Sequence, residues 1–341
     1  MENRCNILLT SVGRRSYLVK YFKEAVDGIG EVHIANSSDK TPPFALPVKK
    51  VVTPLIYDRQ YIPFLLEYCQ KNQITAIVPL FDVDLYMLAC NEEQFSAIGV
   101  RLIVSDKTVI EICNDKWNTY QFLRGNGIET PETYVSIRRA KEKLLSGDIM
   151  YPVMVKPRWG MGSIGVYKAG NEEELDFFYK RVKKEIFESY LKYEAAQDED
   201  SCVLIQECIQ GQEYGLDVIN DLSGRYQNTI VKKKYAMRAG ETDCAEIADS
   251  VELVALGEKV SIALRHIANL DMDVMERDGK YYVIEMNARF GGGYPFGHMA
   301  GVNLPKAIVR WLNGEKVSPE MLSAKTGVLV HKDINMLVLE V

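Results

Sequence analysis

Short β-branched runs alternate with stretches of helical periodicity through the first third of this chain, and no other feature restricts the fold as much. Residues 6–10, 31–35 and 76–79 read as strands, residues 16–25 and 61–71 as helices between them, and residues 102–104 as a further strand. Strands separated by helices are the pattern of βαβ units, in which each crossover brings the next strand back parallel to the last. The expected class is α/β, with residues 1–112 forming a doubly wound, Rossmann-like domain. The turn Ser11-Val12-Gly13-Arg14-Arg15-Ser16 suits an anion at a helix N-terminus, but it lacks the G-x-G-x-x-G spacing of a dinucleotide fingerprint. Asp82 and Asp84 follow another strand end, where open α/β sheets bind ligands, and helix capping is the competing reading for both.

Charge and cysteine content narrow the function. A net charge of -6 over 341 residues gives a nucleic-acid partner no global electrostatic support. No apolar run approaches the roughly 20 residues that span a bilayer. The first residues lack the apolar core and cleavage site of a signal peptide, so the expectation is a cytoplasmic protein with no membrane partner. Its seven cysteines include no C-x-x-C pair and are expected to be reduced thiols.

The chemistry concentrates farther along. Asn114-Asp115-Lys116 opens a helix that runs to Arg124, and residues 151–157 form a strand ending in Lys156-Pro157. A glycine-rich loop follows, with Gly160, Gly162, Ser163 and Gly165, then a helical stretch over 172–192 and an acidic surface stretch over 195–201. A nucleoside triphosphate with magnesium demands backbone N–H donors over the phosphates, lysines as point charges and hard oxygen ligands for the metal. The glycine loop suits the first demand, although an ordinary hairpin turn competes; Lys156, four residues before Gly160, favours the phosphate reading. Two later strands, 272–276 and 281–287, are joined by the turn Arg277-Asp278-Gly279. Alternation puts Glu285 and Asn287 on one face, with Asp273 on the partner strand, a set suited to magnesium that bridges phosphates. The competing reading is a solvated acidic strand face. Arg289, two residues on, is suited to stabilising charge on a transferring phosphoryl group.

These residues resemble the ATP-grasp superfamily over residues 1–315, in particular its carbamoyl-phosphate-synthase-like and carboxylate-amine ligase branch. The resemblance rests on Asn114-Asp115-Lys116, Lys156-Pro157 with the glycine loop, Glu207 with Gly211-Gln212-Glu213, and Asp273 through Glu285-Met286-Asn287-Ala288-Arg289. It implies a Rossmann-like pre-ATP-grasp domain at 1–112, followed by a two-part α+β ATP-grasp fold: a small lid at 113–200 and a large part at 201–315. Residues 316–341 are a tail in which 326–331 are expected to add a strand. By the same resemblance, Lys116 and Lys156 hold ATP phosphates beneath the loop of Gly160, Gly162 and Ser163. Gln206, Glu207, Cys208 and Ile209 form the adenine hinge, Glu213 accepts from the ribose, and Asp273, Glu285 and Asn287 hold one or two Mg²⁺ ions, which Mn²⁺ can replace. Arg289 faces the γ-phosphate. Lys232, Lys234 and Arg238 fall where the family carries a basic loop near the transferred phosphate, and a solvated charge run competes for all three. His298 reads either as a substrate contact or as a structural histidine.

The implied activity is ATP- and magnesium-dependent joining of a carboxylate to an amine through an acyl phosphate, releasing ADP and phosphate. Small-molecule carboxylates and amines are the implied partners, and a homodimer is common in the superfamily. Two alternatives are carbamoyl-phosphate-synthase-like phosphorylation of a small carboxylate or bicarbonate, and a nucleotide-binding module without turnover.

Overall fold

The computed structural model describes residues 5–160 and 165–339, in which three sheets follow one another along the chain. The first contains β1 (Ile7–Thr10), β2 (Val32–Asn36), β3 (Lys49–Val52), β4 (Ala76–Pro79) and β5 (Arg101–Leu102), all parallel, in the order β3-β2-β1-β4-β5. The run Ile7-Leu8-Leu9 is apolar at every position because both faces of β1 are covered. Helix Ser16–Ala25 covers one of them with Leu18, Val19, Phe22 and Ala25, a spacing that keeps one stripe inward. The same helix packs against helix Leu304–Leu312, so the start of the chain is tied to its far end.

Strand order reverses between β1 and β4, and the loops leaving their carboxyl ends open towards the rest of the molecule. Asp82 and Asp84 lie in the first turn of helix Asp82–Ala89, but neither caps it: Phe81 occupies the N-cap position. Asp84 instead clasps the switch point. It accepts from Thr10 Oγ1 at 2.6 Å, Ser11 Oγ at 2.9 Å and the Tyr61 hydroxyl at 2.7 Å. Burial pushes its carboxyl up, and these three hydroxyls oppose that shift.

The second sheet is antiparallel, in the order β6-β9-β7-β8, from β6 (Thr133–Tyr134), β7 (Val153–Pro157), β8 (Tyr167–Ala169) and β9 (Val203–Glu207). Helix Glu172–Glu188 packs on it and stops short of residue 192, and a separate short helix, Lys192–Ala195, follows. The expected surface stretch at 195–201 is partly structural. Ala195 is fully buried, and Asp198 accepts from Arg158 Nη1 at 3.0 Å. Gly162 and Ser163 of the glycine loop lie outside the described residues.

The third sheet has six antiparallel strands in the order β14-β13-β10-β11-β12-β15. They are β10 (Gln212–Asn220), β11 (Tyr226–Arg238), β12 (Glu241–Ile247), β13 (Ala268–Arg277), β14 (Lys280–Asn287) and β15 (Leu329–His331). Helix Val251–Leu264 covers one face; it ends where Arg265 turns left-handed at φ 56°, and Ala268 already belongs to β13. The tail contributes β15, paired with β12. Among the described residues no helix is long and apolar enough to cross a membrane, and all seven cysteines are free thiols.

Candidate active site

One face of the third sheet carries most of the site, and strand alternation puts it there. Residues directly opposite in an antiparallel pair share a face, and so do residues two apart on one strand. The pairs Asp273↔Glu285 and Asp271↔Asn287 join β13 to β14; Gly215↔Asp273 and Asp217↔Asp271 join β10 to β13; Gly215↔Lys232 joins β10 to β11. Glu213, Asp217, Lys232, Lys234, Asp271, Asp273, Glu285 and Asn287 therefore stand on one side of the sheet. Gly215 lies at their centre, and a Cβ there would come within 3.1 Å of Lys234 Cε.

A cavity of about 300 Å³ lies between this face and the second sheet. Its wall brings together nearly all the residues expected around a nucleotide: Lys116, Lys156, Gly160, Gln206 to Ile209, Glu213, Asp273 and Glu285. Lys156 leaves β7 fully buried and donates to Gln206 Oε1 at 2.7 Å. Burial, with the nearby Lys116 charge, lowers its pKa to about 8. Gln206 is itself fixed by Thr133 Oγ1 at 2.9 Å, and Glu207 by Arg277 at 2.9 Å. The side chains of β9's last two residues are thus committed to the protein.

Lys116 starts helix Lys116–Gly125, whose N-cap is Asp115. Its ammonium donates to the Gly160 carbonyl and lies 3.2 Å from Glu285 Oε1. Asp115 also takes a two-pronged pair from Arg158, with contacts of 2.8 Å and 3.0 Å, tying the end of β7 to this helix. Asp115→Ala leaves Arg158 largely buried with one partner fewer, and removes the cap. The expected loss is roughly 3 kcal/mol. Asp115→Asn, which keeps a capping oxygen, should recover part of it; equal urea midpoints for wild type and both variants would contradict this reading.

The acids are each matched by a base. Lys234 bridges Glu213 and Asp273 at 2.6 Å each, and these two acids outweigh burial in raising its pKa. Asp273 is pushed up to about 6 by burial, against the pull of Lys234. Burial acts the same way on Glu285, but Lys116 and Lys156 outweigh it and hold that carboxyl below its usual range. Arg289 is buried between Asp82, at 3.1 Å and 3.2 Å, and Asp271, at 3.1 Å. Asn287 lines a second, smaller cavity that shares Glu285, Trp159 and Gly160 with the first.

Three candidates are placed apart from this cluster or committed elsewhere. Arg238 sits at the exposed end of β11, paired with Asp243, and lines neither cavity; the solvated reading applies to it. Lys232 is buried against Asp217 at 2.7 Å. His298 stacks on Tyr21, with ring centroids 3.5 Å apart, and also lines neither cavity. The sequence reading missed the apolar wall of Met154, Trp159, Val166, Met275 and Ile284. A signal existed for two of them, because Met154 stands two residues from Lys156 and Met275 two from Asp273. Ile284 had none: the register slips between Asp273 and Val274, leaving it without a paired partner.

Among the described residues no group of three or more His, Cys, Asp or Glu is spaced to hold a metal ion. Asp273 and Glu285 nevertheless fit magnesium, which binds through one or two carboxylates and takes its other oxygens from phosphates and water. Burial disfavours the charged form of Asp273, a cost that a divalent cation beside it would offset.

Comparison with known proteins agrees with this geometry. Residues 7–103 match the PylC-like N-terminal domain, and residues 113–293, more than half of the chain, match the ATP-grasp domain. The D-alanine--D-alanine ligase of a Marinomonas species is 30% identical over 192 residues, covering 52% of this chain and 56% of that protein. The carbamoyl phosphate synthase large chain of Agathobacter rectalis is 20% identical over 234 residues, covering 66% of this chain but only 21% of its own length. The chain thus spans about half of the first relative and about a fifth of the second. In fold it is similar to the biotin carboxylase domain of Hydrogenobacter thermophilus 2-oxoglutarate carboxylase, solved with MgADP, ADP and bicarbonate: TM-score 0.70 at 18% identity, covering 92% of this chain and 70% of that one. With lysines and acids lining one cavity and residues 113–293 matching the ATP-grasp domain over more than half of its length, the chain belongs to the ATP-grasp family.

Proposed function

We propose that the protein is an ATP- and magnesium-dependent ligase that joins a carboxylate to an amine through an acyl phosphate, releasing ADP and phosphate. The observation that carries this reading is the single cavity in which Lys116, Lys156, Glu213, Asp273 and Glu285 converge beside the end of β9. Lys156 and Lys116 would meet the phosphates. The backbone of Glu207 to Ile209 would meet the adenine between Met154, Met275 and Ile284, and Glu213 would accept from the ribose. Magnesium held by Asp273 and Glu285, with Asn287 beside them, would neutralise phosphate charge and orient the γ-phosphoryl group. A bound nucleotide also frees Lys116 and Lys234 from the acids that now occupy them.

In the proposed reaction a substrate carboxylate oxygen bonds to the γ-phosphorus while the bond to the bridging oxygen breaks, leaving ADP. The neutral amine nitrogen then bonds to the acyl carbon, the bond between that carbon and the phosphate oxygen breaks, and the proton lost by nitrogen leaves with the phosphate or to water. Arg289 is fixed from both sides and presents its guanidinium where charge builds up, so little reorganisation is needed. Arg15, lowered by burial and by the neighbouring Arg289, adds a second cation. No protein nucleophile is required. Phosphorylation of bicarbonate is the second reading, supported by the bicarbonate in the Hydrogenobacter thermophilus structure.

ADP release across a panel of carboxylates and bicarbonate, each with and without amines, tests the proposal. Stimulation by a carboxylate-amine pair is the expected result; stimulation by bicarbonate alone selects the second reading, and neither leaves only nucleotide binding. A pH prediction follows from Lys156. With its pKa near 8, the free protein loses this proton as the pH rises, whereas a polyphosphate favours the charged form, so binding takes up a proton there. ADP affinity should fall by up to about tenfold per pH unit above that pKa. Lys156→Ala should bind ADP weakly and without this slope; a flat profile in the wild type would contradict the assignment.

A further inference from the structure

One short segment beside the second sheet reaches back to the N-terminal domain. Beyond helix Glu172–Glu188 the chain turns at Ser189 and runs through Tyr190 and Leu191 into helix Lys192–Ala195. Three sets of side-chain contacts fix it. Glu194 accepts from the Tyr57 hydroxyl, and the Tyr193 ring packs on the Tyr57 ring with centroids 4.4 Å apart. Tyr190 faces Phe81 with ring centroids 6.3 Å apart. Leu191 is buried against Gly160, the first glycine of the loop: a Cβ on Gly160 would come within 2.9 Å of Leu191 Cδ2. Tyr57 stands in the turn before helix Tyr61–Lys71, and Phe81 is the N-cap residue of helix Asp82–Ala89, so both belong to the N-terminal domain. The segment thus joins that domain to the start of the glycine loop. Its Tyr190, Leu191 and Glu194 also line the second cavity, together with Asp82, Glu285 and Asn287.

We propose that Tyr57 is a positioning residue: through Glu194 it docks residues 189–195 on the N-terminal domain, which closes the second cavity beside Glu285 and Asn287 and holds Gly160 in the wall of the first. Tyr57 itself has a firm base, because Tyr61 of the following helix donates to the buried Asp84 at the switch point. The docked rings are not core residues. Tyr57 is 39% exposed and Tyr193 52%, so their contact parts into solvent without opening a hydrophobic cluster. Burial pushes the Glu194 carboxyl up and the Tyr57 hydroxyl opposes that shift, so the hydroxyl helps to keep a charged acid in this buried place. An element tied down by exposed contacts opens more readily than the sheets it rests on. Because Leu191 backs Gly160, and Gly160 lines both cavities, release of the segment loosens the wall next to the bound phosphates. The Tyr57 contact therefore sets how fast nucleotide leaves.

Hydrogen exchange on the full chain tests the docking, and stopped-flow release of ADP in the presence of magnesium tests its consequence. Tyr57→Phe keeps the ring and removes only the hydroxyl. Amides of residues 189–195 should then exchange about tenfold faster and ADP should dissociate about tenfold faster, the scale of one hydrogen bond to a charged group. Glu194→Gln keeps an acceptor for the hydroxyl but loses the charge, so both rates should rise by less; it also covers the case in which Tyr57→Phe fails to fold. Tyr167→Phe is the control. It removes another tyrosine-to-carboxylate bond, 2.7 Å long, to Glu185 of helix Glu172–Glu188, which makes no link to the N-terminal domain, and it should leave both rates at their wild-type values. Unchanged exchange at 189–195 in Tyr57→Phe, unchanged ADP dissociation, or equal acceleration in Tyr167→Phe would each overturn the proposal. The ADP arm rests on the nucleotide reading of the first cavity. If the wild type binds no ADP, that reading fails, and exchange at 189–195 alone decides the docking.

Discussion

Glu285→Ala is expected to lower magnesium-dependent turnover by about 10²–10³, the scale for losing one preorganised electrostatic group in a closed site. The carboxylate faces Asp273 across two hydrogen-bonded strands, and its replacement halves the acidic set available to magnesium. It also releases Lys116, which now lies 3.2 Å from Glu285, to meet phosphate directly. ADP affinity measured without metal should therefore hold or tighten while turnover collapses. That pairing of opposite effects separates a metal ligand from a residue that only stabilises the fold. Near-normal turnover at any magnesium concentration would contradict the assignment.

The second large effect belongs to Arg289. Its guanidinium is 7% exposed and is the cation partner of both Asp82 and Asp271. Arg289→Met fills similar volume but leaves those two acids without it, and breaking buried pairs from one side costs roughly 3–5 kcal/mol. Combining it with Asp271→Asn should return part of that stability in urea denaturation, because one stranded charge is removed, yet should return none of the turnover. Arg289→Lys keeps the charge but not the planar fork, so it cannot hold both acids as Arg289 does. Recovery of full activity by either change would mean that Arg289 supports the fold and not the reaction.

Much of this site was legible because its residues obey strand alternation. Asp273, Glu285 and Asn287 share a face for the same reason that Met286 between them is buried in the core, and the Arg277-Asp278-Gly279 turn announces the hairpin. Lys156 was legible through its place before a glycine loop, and Asp115 through capping chemistry. The parallel domain followed from apolar strands separated by amphipathic helices. What could not be read depends on distant partners. Glu194 lies in a short helix beside an acidic stretch, and nothing local marks its contact with Tyr57, 137 residues away. Asp82 and Arg289 are 207 residues apart and meet only when the first sheet docks on the third. Arg238 was left between two readings because charge on a strand looks the same whether it faces a cavity or solvent; it stands at the far end of β11, paired with Asp243.

The most direct measurement follows an oxygen atom. A carboxylate found to stimulate ADP release is labelled with heavy oxygen in its carboxyl group, and the phosphate released with its amine partner is analysed by mass spectrometry. An acyl-phosphate route carries one carboxyl oxygen into each phosphate, so the account predicts labelled phosphate in step with the amide formed. Unlabelled phosphate alongside amide would mean that the carboxylate never accepted the phosphoryl group, and would contradict the proposed reaction at its first step.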